Sequence, residues 1–184
     1  MEKHFLRMFV GSIPDAPLCT AVQRWQECLP PTGVRWTSAE KLHLTLAFLP
    51  ACPSALLSTL EEAVRSVAQA QKRFALPLRR SPTWINHRGA KEPAVLVALP
   101  VDDAHLQNLH AHLHTKMNAR NLISERTLPF LPHLTLGRKN AARPSEKFPD
   151  LPALVFPVRS LCIVKTQQGP QHDAYVIWKK YRLQ

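Results

Sequence analysis

Two stretches of the chain place a histidine and a threonine two residues apart: His43-Leu44-Thr45-Leu46-Ala47-Phe48 and His133-Leu134-Thr135-Leu136-Gly137-Arg138. An imidazole titrates near neutrality, so one can take a proton while a second gives one at the same pH. A threonine hydroxyl can donate a hydrogen bond to an oxygen that gains negative charge. Two imidazoles and two hydroxyls brought to one ligand therefore suit acid–base chemistry at an anionic centre. Such chemistry needs no nucleophilic serine or cysteine, and the chain has no phosphate-cradling glycine loop.

The elements that must position these groups are two short strands. Each stretch alternates apolar and polar residues, the pattern of a half-buried β-strand. Successive strand side chains point to opposite faces. His43 and Thr45 then share one face, and Leu42, Leu44 and Leu46 share the other. His133 and Thr135 are likewise separated from Leu134 and Leu136. One such strand is an ordinary polar face. Two copies of His-Leu-Thr-Leu, one in each half of the chain, point to a paired site.

The chain has 184 residues, the length of one domain or two small packed lobes. Its 45% hydrophobic content allows a substantial core. No apolar run approaches the ~20 residues of a membrane span. Met1 to His4 leads at once into a strand-like run, without the apolar core or cleavage site of a signal peptide, so a cytoplasmic location is expected. Cys19, Cys28, Cys52 and Cys162 are scattered, with no paired spacing for zinc, and fit free thiols in a reducing compartment. The formal net charge of +11 points to a polyanionic partner without choosing among RNA, DNA and small nucleotides.

In chain order, Phe5 to Ile13 is expected to be a strand. A helix follows, capped by Asp15, with Leu18, Ala21, Val22, Trp25 and Leu29 at helical spacing and Pro30-Pro31 as its stop. Val34 to Trp36 is a short strand leading to the first motif. Pro50 closes the first motif strand, and a second helix from near Pro53 buries Leu56, Leu60, Ala63, Val64 and Val67. Phe74 to Leu78 is a strand, Ser81 to Pro93 a loop or hairpin, and Ala94 to Leu99 a buried strand. Asp102 and Asp103 open a helix to about Asn118 with Leu106, Leu109, Leu113 and Met117 inside. An irregular basic segment with Arg120 and Arg126 precedes the second motif. Lys139 to Pro152 is a loop. Leu154 to Thr166 and Ala174 to Tyr181 are two final strands around Gly169-Pro170. The fold class is α+β.

The two motif stretches resemble the paired signatures of the 2H phosphoesterase superfamily. The surroundings are similar to its bacterial RNA 2′,3′-cyclic phosphodiesterase branch, also called 2′-5′ RNA ligases. The flanking residues that carry this are Leu6-Arg7-Met8-Phe9-Val10, Arg35-Trp36 and Lys41 for the first motif, and Pro129-Phe130 and Pro132 for the second. The resemblance runs through nearly the whole chain. It departs at Pro50, where the family usually has glycine.

The resemblance implies one bilobal domain over residues 1–184, with two similar lobes about an approximate internal twofold. Antiparallel sheets line a central cleft and helices pack outside. It implies metal-independent hydrolysis of RNA 2′,3′-cyclic phosphate ends to 2′-phosphomonoesters, with no cofactor. His43 would protonate the departing ribose 3′-oxygen and His133 would activate water. Thr45, Thr135, Arg138 and Phe48 would bind substrate. The partner would be RNA or a nucleotide with a 2′,3′-cyclic phosphate, and the protein a monomer away from membranes. The alternatives are 2′-5′ ligation or cleavage, and an RNA- or nucleotide-binding module without turnover. A pure binder has no need of two proton-transfer groups.

Two of these residues sit awkwardly on an ideal strand. Strict alternation puts Arg138 on the leucine face, away from His133, unless a bulge or strand end at Gly137 re-aims it; otherwise it is a surface charge. Phe48 falls by the same parity in the core, or stacks a base at the strand end. His105, His110, His112 and His114 resemble metal ligands, but only His110 and His114 share a helix face and no third ligand accompanies them. A solvated helix surface is the expectation there. Trp84, His87, Arg88 and Lys91 fall in an exposed loop.

Overall fold

The computed structural model describes residues 4–30, 33–85, 94–123, 129–140, 147–167, 169 and 174–184. His87, Arg88, Lys91, Arg126, Pro31 and Pro170 therefore lie outside the described residues. Among the described residues, ten strands and three α-helices follow in the order β1 (Phe5–Ser12), α1 (Ala16–Glu27), β2 (Arg35–Trp36), β3 (Leu44–Pro53), α2 (Leu57–Ala70), β4 (Phe74–Pro77), β5 (Thr83–Ile85), β6 (Ala94–Ala98), α3 (Ala104–Asn118), β7 (Leu134–Lys139), β8 (Val155–Val158), β9 (Ser160–Gln167) and β10 (Ala174–Arg182).

Local signals explain the helices. Asp15 accepts a hydrogen bond from the Leu18 N–H at 3.3 Å, which satisfies one of the open donors at the start of α1. The expected stripes are inside: Leu18, Val22 and Trp25 on α1; Leu60, Ala63, Val64 and Val67 on α2; Leu106, Leu109, Leu113 and Met117 on α3. α2 packs against α3 and under β9 and β10, while α3 also meets β3.

The strands form an antiparallel sheet in the order β10-β9-β1-β3-β7-β6-β5, with β2 on β7; β4 and β8 make a separate pair. The large sheet is two lobes joined at a narrow seam, where β3 and β7 share one paired position, Leu44 with Leu134. An antiparallel pair has a local twofold at that point, and β1-α1-β3 and β6-α3-β7 are arranged about it. The lobes are not the two halves of the sequence. β9 and β10 complete the lobe of the first motif, and β2 pairs with the second motif strand rather than merely leading to the first.

Three boundaries differ from the alternation pattern. β3 continues through Pro50 to Pro53, because Pro50 falls in an irregular stretch of the β1 ladder, between Met8↔Leu49 and Leu6↔Cys52, where its missing N–H is tolerated. Leu154 to Thr166 is two strands on different sheets, broken at Arg159. Trp84 lies in β5, part-buried beside Phe148, and is not a loop residue. Among the described residues no helix is long and apolar enough to cross a membrane. All four cysteines are unpaired thiols.

Candidate active site

Both motif strands begin one residue after their histidine, and the leucines on one face are buried in the core: Leu42, Leu44, Leu46, Leu134 and Leu136. That anchoring turns His43, Thr45, His133 and Thr135 into one cleft of about 670 Å³. Extending the Leu44↔Leu134 register by one residue sets His43 opposite Thr135 and Thr45 opposite His133. All four groups line that one cleft.

The two imidazoles are held alike. His43 Nδ1 lies 2.6 Å from the Lys41 carbonyl oxygen, and His133 Nδ1 lies 2.8 Å from that of Leu131. A carbonyl only accepts, so each Nδ1 carries a proton and donates it. In the neutral ring Nε2 is then the basic nitrogen.

The environments differ. Phe9 stacks on His43 with centroids 4.5 Å apart, and Tyr175 meets the same ring edge-on at 5.2 Å. Burial between these rings pushes the His43 pKa down to about 4, against the raising effect of the Lys41 carbonyl; the nearby His133 and Arg138 push it down further. His43 is accordingly neutral at pH 7 in the unliganded chain.

Arg138 faces the cleft, as its proposed role requires. The cause is a bulge at Leu136: Leu96 pairs with Gly137 and Val97 with Thr135, so Leu136 is an inserted residue. β3 has the same insertion at Leu46, since Val10 pairs with Ala47 and Gly11 with Thr45. It turns Phe48 out of the core. Phe48 is 44% exposed, beside its partner Phe9, with the Arg7 guanidinium 5.2 Å from its ring centroid. The parity argument that buried Phe48 is corrected by this insertion. Two glycines allow the strands to close up here. A Cβ on Gly11 would sit 2.3 Å from the Leu44 carbonyl oxygen, and one on Gly137 would sit 2.6 Å from Val34 Cγ1.

The cleft is lined by Arg7, Arg35, Lys41 and Arg138, with no carboxylate among its described lining residues. Arg35 and Arg138 face each other directly across β2 and β7. Like charges opposite one another are unfavourable unless an anion joins them. Arg7, Arg35, Lys41 and Tyr175 were not singled out by motif spacing. Arg7 shares the parity of Phe9 on β1, but long-range pairing is what brings these residues to the histidines.

Of the α3 histidines His105 is exposed, as expected of a solvated surface, whereas His110, His112 and His114 are part-buried. His110 and His114 lie with rings 4.0 Å apart, and His110 stacks flat on Phe130 at 3.9 Å. Burial lowers both pKa values, that of His110 to about 4. His112 pairs with the Gln71 amide, and His105 lies against Phe74. Among the described residues no group of three or more His, Cys, Asp or Glu could hold a metal ion.

The model of the 2′-5′ RNA ligase superfamily matches residues 14–170. The chain belongs to this superfamily. A superfamily relative from Geobacillus stearothermophilus, an RNA 2′,3′-cyclic phosphodiesterase, is 30% identical over 152 residues; the match covers 75% of this chain but only 45% of that protein. A Thermus thermophilus protein of the same description is 24% identical, covering 97% of this chain and 90% of the relative. The Escherichia coli LigT crystal structure with 3′-AMP superposes with a TM-score of 0.80 at 21% identity, over 98% of this chain and 99% of that one. The α+β architecture with antiparallel strands is thus that of the LigT crystal structure.

Proposed function

We propose that this chain hydrolyses RNA 2′,3′-cyclic phosphate ends to 2′-phosphomonoesters without a metal or cofactor. The observation that carries the reading is the paired imidazoles, each donating Nδ1–H to a backbone carbonyl two residues earlier, opposite a threonine in a cationic cleft. The relatives' description as cyclic phosphodiesterases supports the same substrate class.

In this mechanism a water oxygen attacks phosphorus, the P–O3′ bond breaks, and the phosphate stays on the 2′-oxygen. His133 Nε2 takes the proton of the water, and His43 gives one to the departing 3′-oxygen. Thr45 and Thr135 donate hydrogen bonds to the non-bridging oxygens, and Arg138 offsets their charge. His43 is neutral before substrate arrives, so the anionic phosphate itself draws the needed proton onto the ring. An anion within bonding distance raises such a pKa by about 1–3 units. Phe48, beside Arg7 on the cleft side of β3, stacks a base of the RNA. The protein acts as a single bilobal, monomeric domain of residues 1–184, away from membranes and in the cytoplasm.

Incubation with 2′,3′-cyclic AMP and with an RNA ending in a cyclic phosphate tests this. The expected product is the 2′-phosphomonoester, and His43→Ala or His133→Ala should slow it by about 10²–10⁴-fold. Tight binding with no product from the wild type would establish a binding module instead. Joining of 2′-5′ linkages in preference to hydrolysis would establish the ligase reading.

A further inference from the structure

The two bulges fall at the same place in each motif, one residue after the threonine. A bulge removes a residue from the ladder and turns the following side chains to the other face. Phe48 and Arg138, each five residues after its histidine, owe their orientation to it.

The bulge carbonyl of β7 is met by a helix side chain. Gln26 of α1 donates through Nε2 to the Leu136 carbonyl oxygen at 3.1 Å and to that of Thr37 at 3.3 Å. The Leu136 oxygen also accepts from the Thr37 N–H at 2.9 Å. The carbonyl is therefore satisfied without Gln26. What the amide adds is a tie between the end of β2 and the bulge, on the two strands that carry Arg35 and Arg138.

We infer that Gln26 is a positioning residue that fixes the bulge of the second motif strand so that Arg138 faces the phosphate cleft. The inference rests on the phosphodiester reading of that cleft. It concerns a residue outside both motifs, on α1. A side chain that only filled space there would affect stability alone. A positioning side chain must be coupled to the residue it aims.

A double-mutant cycle measures that coupling. Gln26→Met keeps the length of the side chain and removes the donor; Gln26→Glu keeps the length but turns acceptors toward two carbonyls. Adenosine 2′-monophosphate is the calorimetric probe, with a thermal melt for every variant. Gln26→Met should weaken binding about tenfold, roughly the size of one charge-assisted contact misaligned, and Gln26→Glu at least as much. In the Arg138→Gln background, Gln26→Met should add less than about twofold. Wild-type affinity in Gln26→Met, or a loss that multiplies fully with that of Arg138→Gln, overturns the inference. If Gln26→Met does not fold, Gln26→Glu in the same cycle decides. Nucleotide binding without turnover by the wild type would sink the proposed hydrolysis and leave this binding cycle valid.

Discussion

Titration of His43 is the sharpest quantitative consequence of the cleft. With its pKa held at about 4 by burial between Phe9 and Tyr175, the ring is protonated in about one molecule in a thousand at pH 7. Charging it there costs about 4 kcal/mol, three units at 1.36 kcal/mol each. A phosphate between Arg138 and the imidazoles should return about 1–3 units of this, placing the bound-state midpoint at roughly 5–7. Histidine ring NMR, with the resonance assigned from His43→Gln, should give a midpoint near 4 in the free chain and an upward shift with inorganic phosphate. Calorimetry of adenosine 2′-monophosphate near pH 6, in buffers of different ionisation enthalpy, should report proton uptake. The same shift acts on stability. The folded pKa lies below the usual 6.5, so between pH 6.5 and 4 the unfolded chain binds more protons. The His43 contribution is complete above pH 6.5 and is lost as pH falls through that window, by up to about 3 kcal/mol. A free-chain midpoint at 6.5, or a midpoint that phosphate leaves in place, would refute the reasoning.

Further outcomes follow from the same geometry. Activity should survive a strong chelator; loss on EDTA treatment with recovery on a divalent ion would end the metal-free reading. Removal of the Arg138 charge by Arg138→Gln should raise KM for the cyclic phosphate about tenfold or more, and an unchanged KM would remove Arg138 from the phosphate site. Binding of an RNA with a terminal cyclic phosphate should fall with salt more steeply than that of a mononucleotide, because the chain carries a net charge of +11; equal slopes in a salt titration would confine binding to the cleft. On a nitrophenyl phosphodiester bound in the same orientation, the leaving group needs no proton, so His43→Ala should be far less impaired than on the natural linkage while His133→Ala stays impaired. The reverse pattern in steady-state rates would exchange the two roles.

The gathering of the paired polar groups was legible because their placement on each strand is local. Histidine and threonine at a spacing of two share a face on any strand, and the leucines between them say which face is buried. The helices were legible for the same reason, down to the Asp15 cap. What periodicity could not show was anything that interrupts it. The inserted Leu46 and Leu136 reverse the parity of the residues that follow them, so alternation sent Phe48 and Arg138 to the wrong face. Nothing in the composition of Leu-Ala-Phe marks a bulge, and Leu-Gly-Arg marks one only through its glycine. Long-range pairing was equally hidden. That Arg35 meets Arg138, or that β9 borders β1, depends on which strand edges are left open after the others fold. The α3 histidines looked surface-like because four histidines in ten residues are polar by count. Two of them are part-buried, ring against ring, with one stacked on Phe130.

The place of β9 in the sheet matters during synthesis. Met8 to Gly11 on β1 pair on one side with β3, which emerges soon after, but on the other side with Cys162 to Lys165. Until those residues leave the ribosome, an apolar strand edge stands open beside Phe9, the ring that stacks on His43. At usual elongation rates the wait for the intervening ~150 residues is on the order of ten seconds. An open apolar edge for that time invites pairing with other chains, and nascent-chain binding factors that cover strand edges would shelter it. The nascent chain thus carries both motif histidines before the last wall of their pocket exists, and the cleft is complete only with the final strands.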